Sequence, residues 1–387
     1  MSSPAAAVLV SNGAVSPRAP PAAAAFLDST AGAYTTARGS LLWWPRHLRR
    51  LAESAALLAC SHPHLLGLPP EPRFASLDLF SETPIHALVN PSVRVAVREM
   101  RRRLPAIGAE DLAITALVRA GGGTVSGDGL DVFVHAGTYA PPVFGESGAR
   151  IAVAGGGREA AAAKYAPWAR MRKSMEKMRP PGVTELLLSN DGDHILEGAV
   201  TNFFVVCQQA THATYPLEER EKNGPFSSQA IDSEFVVQTA PLSDGVLPGI
   251  IRQIVIDLLK EVLFVWRRVC HDIGIPVQEI SPSWSRHEFW KEAFVTSSLR
   301  LIQHVESVQV PLLWEDIQSK TWSDVPWGVK QFQGVGCITT KIQVSLSLQD
   351  CKISDAMAVW PADLFFSVCV LTHHVDGTIE ESKKRGV

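Results

Sequence analysis

The sequence predicts a mixed α+β fold built from two domains, and three observations carry that reading. The chain has 387 residues, more than one ordinary core organises, so two domains are expected. Short strand-like runs recur in hairpin pairs between segments of helical period, the pattern of an α+β or mixed architecture. A Gly/Pro-rich passage, GTYAPPVFGESGA, interrupts them and reads as the joint between domains.

Taken in order, residues 1–29 are Ala/Pro/Ser-rich and read as a disordered tail. Residues 30–145 form the smaller N-terminal domain. AGAYTTARGSLLWW alternates like a pair of strands. PRHLRRLAESAALLAC has helical spacing, with Leu48, Leu51, Ala55 and Leu58 on one face. NPSVRVAVREMRRRL reads as a second amphipathic helix, capped by Asn90 with Pro91 behind it. EDLAITALVRA and LDVFVHAG read as strands. A linker is set at 146–159, and a second domain at 160–325. RIAVAGG and VTELLLSN are strands, DGD a turn, and HILEGAVTNFFVV the returning strand or hairpin. PGIIRQIVIDLL is a helix, and EAFVTSSL a strand that runs into a polar turn. Two segments break this pattern. One is an insertion at 258–269 that lengthens the helix. The other is the C-terminal extension 326–387, whose last part has no clean period and reads as non-native or disordered.

Charge and composition narrow the function. A net charge of −3 gives no electrostatic case for nucleic acid or an anionic membrane. No apolar run reaches the length of a membrane span. The six cysteines show no CxxC and read as free thiols of a reducing compartment. The cytoplasm is the expectation, and the acid-poor N-terminus makes a plastid the alternative. No metal site is expected: His62 and His64 form an HxH, but HExxH and Cys/His clusters are missing. The glycine runs GGGTVSG and AGGGREA lack the P-loop and dinucleotide patterns and read as turns.

A scattered set of polar residues remains. Lys164 stands in the apolar, aromatic AAAKYAPW, a costly place for an ammonium group. Glu197 lies 33 residues later, after a strand and a hairpin, so neighbouring strands can face both into one cavity. Arg49 and Arg50 sit on a helix with an apolar face. Gly249 opens a helix whose free N–H groups favour an anion. Thr296 to Ser298 put hydroxyls at a strand end. Singly, each is as well read as a solvated lysine, a surface acid or a capping serine.

Together these segments resemble the fold-type IV pyridoxal-phosphate enzymes: the class IV aminotransferases, including the branched-chain and D-amino-acid types, and aminodeoxychorismate lyase. AGAYTTARG is similar to the family's opening GxFET-R, and HLRRLAESA to HxxRLxxSA. EGAVTNFFVV is similar to EGxxxNxFxV, the most specific of the set. LPGIIR resembles LxGITR, and FVTSS the late strand before the cofactor-binding turn. The resemblance runs from about Gly32 to Val310 and is nearest to a plant group described as D-amino-acid-aminotransferase-like.

The resemblance implies a small N-terminal α/β domain, a larger barrel-like C-terminal domain and a homodimer. It implies pyridoxal 5'-phosphate as cofactor, with an amino acid and a 2-oxo acid as substrates of a transaminase. A lyase of the aminodeoxychorismate type and an inactive homologue are the alternatives. Lys164 is then the catalytic residue, bonded to the cofactor and moving the α-proton; Lys173 and Lys177 are its rivals. Glu197 meets the pyridine nitrogen, with Thr201 and Asn202 bracing the ring. Arg50, the amides of Ile250 and Ile251, and Ser298 hold the phosphate. Tyr34 lines the substrate pocket. The chain departs from the family in GII for GIT and in KYAP at the lysine. VFVHAGTYAPP offers His135 as its one basic residue where D-amino-acid aminotransferases bind the substrate carboxylate through arginine.

Overall fold

A computed structural model describes residues 7–68, 77–108, 112–121, 129–209, 234–260, 275–315 and 317–356. Among these residues the strands form two sheets. The first has the order β2-β1-β5-β4-β3, from β1 (Ala7–Ser11), β2 (Ala14–Val15), β3 (Ala33–Arg38), β4 (Leu112–Ala120) and β5 (Leu130–Thr138), all antiparallel. Three helices accompany it: α1 (Ala23–Asp28), α2 (Trp44–Ser61) and α3 (Glu82–Arg103). The apolar stripe of α2 is buried as its spacing predicts, with Leu48, Leu51, Ala55 and Leu58 each at most 1% exposed.

The second sheet uses β6 (Ala149–Gly155), β7 (Glu185–Ser189), β8 (Ile195–Gly198), β9 (Asn202–Gln208), β10 (Phe235–Thr239), β11 (Val277–Glu279), β12 (Trp290–Ser297), β13 (Leu301–Pro311) and β14 (Trp327–Gln331). Six of them close on themselves in the order β9-β12-β13-β6-β7-β8 and back to β9, which gives a barrel-like core. Closure removes the free edges of those strands. The seam is the pairing of Glu197 with Asn202. Short α4 (Trp168–Met171), α5 (Ile250–Lys260) and α6 (Cys337–Ala356) are the remaining described α-helices.

Four sequence expectations need correction. The N-terminal segment is not a structureless tail: β1 pairs with β5 and buries Val8 and Val10, whose alternation supplies a sheet face. AGAYTTARGSLLWW contributes one strand, not two. After Arg38 the chain turns, with Leu41 and Trp43 at positive φ (55° and 51°), and enters α2. Asn90 and Pro91 do not open a helix; α3 begins at Glu82, and Pro91 lies inside it. Asn90 instead accepts a hydrogen bond from the Trp44 indole at 2.9 Å. The C-terminal extension is ordered at its start. β14 pairs with β13, and Ile338, Ile342 and Leu346 of α6 pack against α5 and β12 as an i, i+4, i+8 stripe. Of the proposed insertion, residues 261–269 lie outside the described residues, as does the tail after 356.

Candidate active site

The turn between β8 and β9, residues 199–201, is built around acids. Glu185 on β7 is buried and accepts from the Val200 amide at 3.1 Å and the Thr201 hydroxyl at 2.8 Å, while Arg300 donates to its other oxygen. A side chain at Gly198 would run into the Thr201 hydroxyl and the Glu185 carboxylate, so this position needs glycine. The turn sets Glu197, 2% exposed, into the barrel mouth beside Asn202.

Four donations satisfy the Glu197 carboxylate. Oε1 accepts from Nε and Nη2 of Arg158 at 2.9 and 2.8 Å. Oε2 accepts from the Leu247 amide at 2.9 Å and the Asn202 amide at 3.2 Å. Burial raises the carboxyl pKa above its ordinary value, against the pull of Arg158, the Leu247 amide and Lys164. Asn202 also donates to the Leu247 carbonyl at 3.0 Å, and a Cβ at Gly249 would collide with its oxygen.

Lys164 reaches the site from the segment between β6 and α4. Its carbonyl accepts from the Tyr34 amide at 2.9 Å, and its amide donates to the Ser54 hydroxyl at 3.1 Å. β3 and α2 therefore fix the backbone of this lysine, and its Nζ lies 4.8 Å from the centre of the Tyr34 ring. Burial lowers the Lys164 pKa, and Arg50 and Arg158 add to this while Tyr34 opposes it. The rivals face elsewhere: Lys173 bonds Asp28 at 2.7 Å, and Lys177 is exposed.

Arg50 projects from α2 and is buried, whereas its neighbour Arg49 pairs with Glu82 at the surface. Nη2 of Arg50 donates to Thr35 at 3.0 Å, and Thr35 is held in turn by His47 at 2.8 Å. Burial pulls the Arg50 pKa down to about 10. At the start of α5, the Gln253 amide bonds the Gly249 carbonyl at 3.0 Å. The amides of Ile250 and Ile251 come before that first bond and have no intrahelical acceptor.

These groups share one cavity of about 300 Å³. Tyr34, Arg50, Lys164, Glu197, Thr201, Asn202, Ile250, Ile251 and Ser298 all line it. The Thr201 hydroxyl donates to Glu185, which ties this part of the lining to the turn. Three buried polar atoms of the lining have no hydrogen-bond partner among the described residues: Arg50 Nε, Tyr165 Oη and Thr296 Oγ1. Buried polar atoms are rarely left so.

Sequence reasoning overlooked Arg158, Tyr139, Arg172 and Arg300, which also line the cavity. Arg158 stands in the glycine run that reads as a turn; its signal was an Arg-Glu pair leading into four alanines. His135 is not part of the lining. It is buried against Phe26 and bonds the Pro21 carbonyl at 2.9 Å.

The sequence model described as "Amino-transferase class IV" matches residues 32–308. No curated protein matches the chain. Among solved structures, the chain is similar to a branched-chain aminotransferase from Thermoproteus uzoniensis with norvaline. That match has TM-score 0.53 and 17% identity, over 89% of this chain and 95% of the other. It is also similar to a hypothetical aminotransferase from Mycobacterium tuberculosis, with TM-score 0.52 and 15% identity over 90% and 100%. A third is a T.th. branched-chain amino acid aminotransferase complexed with N-(5'-phosphopyridoxyl)-L-glutamate, with TM-score 0.51 and 16% identity over 89% and 94%.

Proposed function

The chain belongs to the amino-transferase class IV family, and from that premise we propose that it is a pyridoxal-phosphate-dependent transaminase, moving an amino group between an amino acid and a 2-oxo acid. The observation that carries the reading is the convergence of Lys164, Glu197 and Arg50 on one cavity.

The residues fit the cofactor at each of its polar ends. The unpartnered Arg50 Nε, the free amides of Ile250 and Ile251, and the hydroxyls of Thr296 and Ser298 suit a phosphate dianion. Glu197 suits the ring nitrogen, and Asn202 braces it. When bound, pyridoxal phosphate supplies an electron-withdrawing ring that stabilises negative charge at the substrate α-carbon.

The protein's own part follows from its electrostatics. Arg158 and the Leu247 amide hold Glu197 in place as a hydrogen-bond acceptor in a site shielded from water. Burial, with Arg50 and Arg158 adding to it, favours the neutral amine of Lys164, the form that bonds a carbonyl and takes a proton at Nζ from the substrate α-carbon. Tyr34 bounds the space beside Nζ.

The test is an absorption spectrum of the chain with pyridoxal phosphate, before and after borohydride, followed by peptide mapping. The cofactor should be fixed on the peptide that carries Lys164, and Lys164→Ala should abolish the label. A label elsewhere, or none, would overturn the reading. Dependence of turnover on a 2-oxo acid would separate amino transfer from elimination.

A further inference from the structure

The arginines of the cavity are held in different ways. Arg158 pairs with the Glu197 carboxylate and Arg300 with that of Glu185. Arg50 is anchored without a counter-charge. Among the described residues its one hydrogen-bond partner is the Thr35 hydroxyl, which accepts from Nη2 at 3.0 Å, and its buried Nε has none.

The anchor lies behind the cavity wall. On β3, Tyr34 and Thr36 line the cavity. Strand alternation therefore turns Thr35, which is fully buried, to the opposite face, against α2. His47 and Arg50 stand three residues apart on one side of that helix, and both reach the Thr35 hydroxyl. The His47 ring is buried and stacks on the Trp44 indole, with centroids 5.8 Å apart.

Proton counting sets the direction of this chain of bonds. A guanidinium only donates, and a hydroxyl has one proton to give. Thr35 accepts from Arg50, so its own proton has one acceptor among the described residues, Nδ1 of His47 at 2.8 Å. His47 is then neutral and carries its proton on Nε2. Burial holds its pKa well below the ordinary value, and the charges of Arg50 and Lys164 add to this. The hydroxyl lone pair is thereby kept on Arg50, and each bond polarises the next.

We propose that Thr35 and His47 are positioning residues that aim the Arg50 guanidinium at the phosphate end of the cavity while leaving its charge whole. This rests on the transaminase reading for the identity of the ligand and deepens it. A carboxylate in place of the hydroxyl would neutralise Arg50 and compete with a phosphate. A neutral relay restrains the side chain before the ligand arrives, which lowers the ordering cost of binding, and does not compete.

Spectral titration with pyridoxal phosphate and, as the phosphate-free probe, with pyridoxal tests this. Thr35→Val and His47→Leu should each weaken pyridoxal phosphate roughly tenfold and leave pyridoxal unchanged. Thr35→Ser should keep the parent affinity, as should His47→Asn, which puts a carbonyl acceptor near the place of Nδ1. In an Arg50→Gln chain, Thr35→Val should have no further effect on pyridoxal phosphate. Equal losses for pyridoxal and its phosphate would show a merely structural role and overturn the proposal. Unchanged affinities, or a loss that persists in the Arg50→Gln chain, would overturn it too. Should Thr35→Val not fold, His47→Leu, which keeps the contact between Arg50 and Thr35, carries the same comparison. If no cofactor is fixed on Lys164, the transaminase reading fails by its own spectrum. Calorimetric titration of the unloaded parent and variants with inorganic phosphate then still decides the roles of Thr35 and His47: the same tenfold loss supports them, and equal binding, or none to the parent, overturns them.

Discussion

Nη2 of Arg158 lies 2.8 Å from Oε1 of Glu197, and the two side chains are 5% and 3% exposed. Arg158 also donates to the carbonyls of Ala161 and Ala163, at 2.8 and 3.3 Å, so it binds the segment leading into Lys164 to the barrel seam. Removing one member of such a pair leaves the other charged and dry. Arg158→Met should therefore cost about 3–5 kcal/mol, read from denaturant unfolding. A loss under about 1 kcal/mol, the range of exposed pairs, would show that water reaches Glu197.

Arg50 should act on ligand affinity rather than on folding. Its charge-assisted contacts with a phosphate are worth about 1.5–3 kcal/mol. Arg50→Gln should weaken pyridoxal phosphate by roughly 10- to 150-fold, measured by spectral titration. Equal affinity in the variant would place the phosphate elsewhere.

Gly249 tests the packing at the head of α5. A side chain there meets the Asn202 amide oxygen, and Asn202 must shift off Glu197. Gly249→Ala should destabilise by about 1–3 kcal/mol and lower cofactor affinity in the same protein. Ser298→Ala should lower cofactor affinity alone, which separates a displaced brace from a lost phosphate contact.

The buried lysine makes stability depend on pH. The Lys164 pKa is lowered in the folded chain, so the unfolded chain binds more protons between that value and 10.5. Stability then rises with pH across that window. Without cofactor, Lys164→Met should raise the melting temperature at neutral pH, and the gain should shrink as pH approaches 10.5. A gain independent of pH would mean the amine is hydrated.

The C-terminal helix should contribute to the barrel domain. Ile342 is fully buried between Ile338 and Leu346. Ile342→Ala should cost about 2–5 kcal/mol by denaturant unfolding, and a negligible cost would mean that α6 is not docked.

Much of this protein is legible in its sequence because periodicity and local motifs are local properties. The apolar stripe of α2, the hairpin that ends in EGAVTNFFVV and the glycine before α5 follow from steric and packing rules within a few residues. These motifs lie within residues 32–308, the span of the class IV aminotransferase match. Three features needed the tertiary structure. Val8 and Val10 look like part of a low-complexity tail until β5 presents an edge for them to pair with. Pro91 looks like a helix start until the upstream turn from Ser81 shows it inside α3. The charges of the cavity are the third. Arg158, Arg172 and Arg300 read as ordinary surface charges, since nothing within a few residues distinguishes a solvated arginine from a buried one. The sequence by itself determined which residue types were available, the elements that carry them and the family. Only the folded chain, by closing the barrel at Glu197 and Asn202, decided which charges neutralise one another, because pairing depends on distances between residues remote in sequence.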